Sequence, residues 1–196
     1  ISMVLEGSAT PDLLPIRGSD FYGKLGIEPV LGNRATSLDV VGQRVVLGDG
    51  REVRYDRLLI ATGADPRPVK AQGADLANVY FMRTERDVRG MLGALPSVRR
   101  ALVIGGGLVG MKAAHALLKR GLPVTMLIRS DYPLFFRVDE MAGGLIRDEL
   151  VRCGLDVRVG LSVKAFEGKG AVKAAHLSDG SVMDCELVIV GKGVLP

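Results

Sequence analysis

Apolar positions in this chain fall in short blocks separated by glycine, proline and charged residues. Between residues 28 and 61 the blocks are strand-length and closely spaced: 28–31, 35–40, 44–47, 52–55 and 58–61. Gly48-Asp49-Gly50 reads as a hairpin turn between two of them. Residues 1–25 read as irregular chain and short helix, broken by Pro11 and Pro15, with Ser19-Asp20 placed to cap a turn running to Leu25. Pro66 and Pro68 end the strand-rich block, and residues 69–84 read as a connecting segment. Residues 85–95 have helical spacing, interrupted by Gly90 and Gly93. From there the pattern alternates: a strand at 101–104, a helix at 111–120, a strand at 123–128, a helix at 138–153 and a strand at 156–159. A meander follows at 163–166, 172–177 and 182–184, then a last buried strand at 187–190. Strands alternating with helices specify a parallel sheet covered by helices.

Composition sharpens this picture. The 196 residues are 47% apolar, enough for a sizeable core in one large domain or two small ones, and mean hydropathy is +0.25. Aromatics make up only 5% and tryptophan is absent, so the core is aliphatic. The net charge of +4 arises from scattered Arg and Lys. With no basic stripe interleaved with aromatics, nucleic-acid binding is not expected. Cys153 and Cys185 form no C-x-x-C pair and read as two buried reduced thiols. No apolar run reaches membrane length, and residues 1–6 are too short for a signal peptide, so a cytoplasmic setting is the default expectation.

The chain repeats itself. Leu47-Gly48-Asp49-Gly50 recurs as Leu177-Ser178-Asp179-Gly180, and Tyr55-Asp56-Arg57-Leu58-Leu59-Ile60 as Cys185-Glu186-Leu187-Val188-Ile189-Val190 at the same spacing. Gly63 then matches Gly193, and residues 26–32 resemble 154–160. These are the closing strands of two doubly wound units, of which only the second carries a glycine loop.

That loop is the most informative stretch. Ala101-Leu102-Val103-Ile104 runs into Gly105-Gly106-Gly107-Leu108-Val109-Gly110, a G-x-G-x-x-G between a strand and a helix, with a second strand closing the unit. Gly105 permits the tight turn, Gly107 lets a pyrophosphate approach the backbone, and Gly110 lets the helix pack close. The helix then aims free N–H groups and its positive dipole end at the phosphates. A glycine-rich turn that binds nothing is the competing reading.

These residues, with Tyr55-Asp56-Arg57-Leu58-Leu59-Ile60-Ala61-Thr62-Gly63-Ala64 and the strand-turn 187–193, resemble the FAD-dependent pyridine nucleotide-disulphide oxidoreductases, in their NADH oxidase, nitrite reductase and ferredoxin reductase branch. The resemblance covers nearly the whole chain. It implies an α/β fold: a Rossmann-like three-layer NAD(P)-binding domain with a parallel sheet and β-meander at 96–196. Residues 1–95 would form a partial FAD domain, lacking its N-terminal βαβ, and a linker. It also implies the parent's activity, hydride passing from NAD(P)H to flavin and on to an acceptor, and a homo-oligomeric parent. Thr62 and Gly63 match the family turn that lies against FAD, and Gly191 and Gly193 would lie near the nicotinamide ribose. Because the FAD phosphate loop is missing, the fragment is expected not to hold FAD tightly and not to turn over, and its apolar faces to drive self-association.

The chain departs from the family pattern in two places. Ile128 stands where NAD-preferring members place a ribose-binding acid, followed by Arg129 and Ser130, with Arg137 as a second cation. This resembles the NADPH-preferring pattern and points to NADPH over NADH. Lys112 replaces a common glutamate one turn into the phosphate helix; it shares a stripe with His115 and Lys119, whose bland reading is a solvated cationic face. His115 and His176 have no acid or nucleophile partner at suggestive spacing, and Asp139 and Glu140 read as helix capping. No catalytic residue, metal cluster or Walker loop is assigned. Two rivals remain: a non-catalytic dinucleotide-binding or docking module, and a methyltransferase, against which the duplicated strands argue. The electron acceptor is open.

Overall fold

The computed structural model describes residues 1–196. In chain order the elements are α1 (Ser2–Glu6), α2 (Phe21–Lys24), β1 (Ala35–Asp39), β2 (Arg44–Leu47), β3 (Glu52–Arg54), β4 (Asp65–Pro66) and β5 (Val79–Phe81). Then come α3 (Glu85–Ala94), β6 (Ala101–Ile104), α4 (Leu108–Lys119), β7 (Val124–Leu127), α5 (Glu140–Arg152) and β8 (Asp156–Arg158). The last are β9 (Val163–Glu167), β10 (Ala174–Leu177), β11 (Val182–Asp184), β12 (Leu187–Val190) and β13 (Val194–Leu195). None of the helices is long and apolar enough to cross a membrane.

The chain forms two compact units, Ile1–Leu14 with Ala64–Pro196, and Pro15–Gly63. The larger unit is built on a parallel sheet in the order β5-β12-β6-β7-β8. Period-two alternation gives each face its own core. Ala101, Val103, Val124, Met126, Leu187 and Ile189 pack with helical residues such as Leu5, Met91 and Leu117. Leu102, Ile104, Leu127, Val188 and Val190 pack instead with Phe166, Ala175 and Leu177 of the antiparallel meander β9-β10-β11. The result is three layers: helices, parallel sheet, meander.

Local chemistry sets the helix starts. Thr84 and Asp87 make a capping box on α3, and Asp139 caps α5 by accepting the Ala142 N–H at 2.9 Å. The N-terminal α1, read only as irregular chain and short helix, buries Val4 and Leu5 in the helical layer. The Arg120 guanidinium donates to the Leu5 and Val4 carbonyls at its end.

The smaller unit holds α2 and the antiparallel sheet β1-β2-β3. Asp39 fixes its first turn, accepting the Gly42 N–H and the Arg44 Nε, each at 2.8 Å.

Four sequence expectations are corrected. Residues 28–31 form no strand: Pro29 has no N–H, Gly26 and Gly32 turn at φ +65° and +70°, and no neighbouring strand lies alongside. Residues 58–61 also lack a ladder, and Leu59 is 87% exposed. Residues 69–84 are more than a connection, because Val79, Tyr80 and Phe81 pair in parallel with Val188, Ile189 and Val190. Three residues are too few to show a period. The helix after the glycine loop also begins at Leu108 rather than at Met111.

Candidate functional site

The strand order reverses beside β6: the chain steps outward through β7 and β8, then returns through β12 on the other side. The carboxyl ends of β6 and β12 beside that reversal are the usual ligand position in an open α/β sheet. Two strand-end hydrogen bonds shape it. Gly105 N–H donates to Leu127 O at 2.8 Å, and Gly191 N–H donates to Ile104 O at 2.7 Å.

Gly105 sits at φ +113°, and a Cβ there would overlap the Gly191 carbonyl. A Cβ on Gly110 would overlap the Gly105 carbonyl, and one on Gly191 would lie 2.9 Å from the Gly110 nitrogen. Loop, helix and returning strand thus meet backbone to backbone. Gly107 differs: a Cβ there would meet no atom within 4 Å. It is the N-cap of α4, and its carbonyl accepts the Met111 N–H at 3.0 Å. The N–H groups of residues 106–110 have no backbone acceptor, so the loop and the first turn of α4 keep a set of free donors, with Gly110 itself packed against Gly191. Leu108 and Val109 are 54% and 44% exposed there. Such a cradle can take the pyrophosphate of a dinucleotide.

Beyond β7, Ile128 is buried, and its Cδ1 lies 2.7 Å from where a Cβ on Gly106 would stand. Arg129 and Arg137 are exposed, and neither belongs to an ion pair. Ser130 donates its hydroxyl proton to the Tyr132 carbonyl at 3.0 Å, so that proton is already engaged. Lys112, His115 and Lys119 are all exposed on α4. Gly193 turns at φ +86°, and its carbonyl accepts the Arg67 N–H at 2.9 Å. In the smaller unit Thr62 and Gly63 are exposed, Gly63 with φ +74°.

Two further expectations change. Cys153 is exposed, with Sγ 3.6 Å from Glu149 Oε1; only Cys185 is buried, and burial, with Glu186 and Asp184 nearby, pushes its thiol up to about 12. His176 does have an acid partner, Glu167 on the adjacent strand at 2.8 Å, a pairing created by the β9–β10 register rather than by sequence spacing. Two surface cavities lie apart from the glycine loop. One of about 650 Å³ is lined by Tyr80, Gly90 and the first turn of α3. The other, about 480 Å³, opens at the amino ends of the strands, where Arg100–Asp184 and Arg158–Asp156 pairs, each at 3.0 Å, neutralise its rim. Of the loop 130–138 the sequence reading named Ser130 and Arg137 but missed Tyr132 and Leu134; Gly143, on which the Tyr132 ring rests, is the one sequence signal that points to them.

The sequence profile of the pyridine nucleotide-disulphide oxidoreductases matches residues 4–196. The assimilatory nitrate reductase electron transfer subunit of Bacillus subtilis is 31% identical over 196 residues, covering 100% of this chain and 25% of that protein. The ferredoxin–NAD(+) reductase component of the biphenyl dioxygenase system of Paraburkholderia xenovorans is also 31% identical, covering 100% and 48%. Putidaredoxin reductase of Pseudomonas putida is 35% identical over 199 residues, covering 98% and 47%. The chain therefore spans about half or less of the length of these curated relatives. Among solved structures, the covalent putidaredoxin reductase–putidaredoxin complex superposes with TM-score 0.92 at 31% identity, covering 99% of this chain and 48% of that one. A ferredoxin reductase from Rhodopseudomonas palustris gives 0.90 at 27%, covering 98% and 48%.

Proposed function

The chain belongs to the pyridine nucleotide-disulphide oxidoreductase family, and from that premise we propose that it is the nicotinamide-nucleotide-binding part of a FAD-dependent NAD(P)H oxidoreductase. The observation that carries this reading is the open backbone cradle: Gly107 with free space before it, beside the unbonded N–H groups of residues 106–109. Once bound, a nicotinamide nucleotide would supply a hydride and a flavin would accept it. The residues of this chain bind and orient. The N–H groups of 106–109 and the dipole of α4 hold the pyrophosphate, and Gly191 and Gly193 line the nicotinamide side of the site. Thr62 and Gly63 serve the flavin, and the names of the relatives favour a ferredoxin-type protein as electron acceptor.

The preferred nucleotide in this reading is NADPH. Ile128 offers no carboxylate to the ribose hydroxyls and none to repel a 2′-phosphate, while Arg129 and Arg137 are cations without partners. Ser130 braces the loop instead of donating to the phosphate. Parallel calorimetric titrations with NADPH, NADH and FAD test the proposal. NADPH is expected to bind more tightly than NADH, and Arg129→Asp to lower that ratio by about tenfold. Binding of neither nucleotide by the wild-type chain would overturn the reading. An unchanged ratio in Arg129→Asp would overturn the NADPH preference alone.

A further inference from the structure

The loop between β7 and α5 is built in an unusual way. Leu134 stands at φ +56°, a left-handed conformation that a leucine holds only where its surroundings impose it. What that conformation achieves is visible in the hydrogen bonds. The Leu134 N–H donates to the Gly106 carbonyl at 3.0 Å, tying this loop to the middle of the phosphate cradle. The Leu134 carbonyl in turn accepts the Arg137 and Val138 N–H groups at 2.7 and 3.2 Å.

The other end of the loop rests on α5. Gly143 is the buried residue of that helix, and a Cβ on it would overlap the Tyr132 ring. The ring is therefore seated directly on the helix backbone. Tyr132 packs at a tilt against Phe135, 4.9 Å between centroids, and its carbonyl receives the Ser130 hydroxyl at 3.0 Å. The Ser130 carbonyl accepts the Gly160 N–H at 3.2 Å. A continuous chain of contacts thus runs from Gly143 through Tyr132 and Leu134 to Gly106. Arg129 and Arg137 flank it on either side, exposed and without a carboxylate.

We propose that Tyr132 is a positioning residue for nucleotide selectivity: seated on Gly143, it holds the loop on Gly106 and so fixes the backbone from which Arg129 and Arg137 reach the 2′-phosphate. The inference rests on the dinucleotide-binding reading above. The physical reason is entropic. An arginine on a mobile loop loses backbone and side-chain freedom on binding an anion, whereas one on a latched loop loses less. A 2′-phosphate feels that loss; a 2′-hydroxyl, which needs no arginine, does not.

The test compares wild type, Tyr132→Phe, Tyr132→Ala and Gly143→Ala by calorimetry with NADPH and NADH, with amide hydrogen exchange in the absence of nucleotide. The Tyr132 phenol oxygen makes no hydrogen bond, so Tyr132→Phe should bind both nucleotides as wild type does. Tyr132→Ala should weaken NADPH by about tenfold and NADH by less than about threefold, and speed exchange at the Leu134 amide. Gly143→Ala should act in the same direction by displacing the ring. Should Gly143→Ala fail to fold, Tyr132→Ala, which only removes atoms, still decides. Faster exchange with an unchanged NADPH-to-NADH ratio would overturn the proposal, reducing the latch to a structural brace. A wild-type chain that binds neither nucleotide would overturn the functional reading and this proposal with it, an outcome distinct from an unchanged ratio.

Discussion

A methyl group added at Gly105 would land on the Gly191 carbonyl, in a backbone held at φ +113°; the same group at Gly107 would meet nothing. One loop therefore holds a glycine needed for folding and a glycine available to a ligand, two residues apart. Gly105→Ala should cost roughly 3 kcal/mol or more, since strain and overlap add. Gly107→Ala should stay within about 1 kcal/mol of wild-type stability while weakening dinucleotide binding by about tenfold. Thermal denaturation and calorimetry on the pair check this. Equal losses of stability would show that Gly107 also carries the fold. Single residues also mark what the sequence conceals. Nothing in a Leu-Phe-Phe run announces a left-handed leucine, so the Leu134 contact to Gly106 could not be read from residue types. The glycine loop could, because strand, turn and helix each leave a local signal.

Among elements, the repeated sequences fold into matching turns. Leu47 and Leu177 each donate across the turn at 2.8 Å, to Arg51 O and Ser181 O. Gly50 and Gly180 both stand at φ +86°, and Asp49 and Asp179 each accept the N–H two residues on at 3.0 Å. The Arg51 N–H, the Asn33 side chain and the Arg51 guanidinium together hold the Asp49 carboxyl down to about 2 from its ordinary 3.8; the Ser181 hydroxyl and N–H lower Asp179. A lowered carboxylate stabilises the fold fully above its unfolded value. That contribution fades as pH falls from about 3.8 towards about 2. The β2–β3 turn should loosen across that window, and Asp49→Asn should remove the pH dependence there, as followed by NMR of the turn amides. Persistence of the wild-type profile in Asp49→Asn would assign the acid transition elsewhere. The same comparison shows where pattern reading fails. Residues 187–190 and 58–60 look alike in sequence, yet the first is a buried strand paired on both sides and the second has no ladder. Strand propensity describes a half-buried pleated surface, and only a neighbour supplies it.

The whole molecule divides its apolar residues unevenly. The larger unit buries two aliphatic clusters, one on each face of its sheet, while in residues 15–63 Leu47 alone is buried. Within that smaller unit Leu59 and Ile60 are 87% and 68% exposed in extended chain with open backbone groups. Such a segment is a template for intermolecular strand pairing. Leu59→Lys with Ile60→Lys should therefore reduce self-association in sedimentation velocity run over a concentration series. A concentration dependence equal to that of wild type would place the sticky surface elsewhere.

The central position of β12 has a consequence for how the protein is made. β12 joins β5 to β6, and Gly191 at its end is the wall against which Gly105 turns. On a ribosome adding about 5–20 residues per second, the glycine loop emerges seconds before the strand that buttresses it. During that interval β5 and β6 have no common neighbour, and the apolar edges of both are open. Nascent chains stalled before residue 187 should thus be sensitive to proteases and chaperone-bound, and the glycine loop should take its final shape abruptly, as a late event of synthesis, when the last buried strand slides into place.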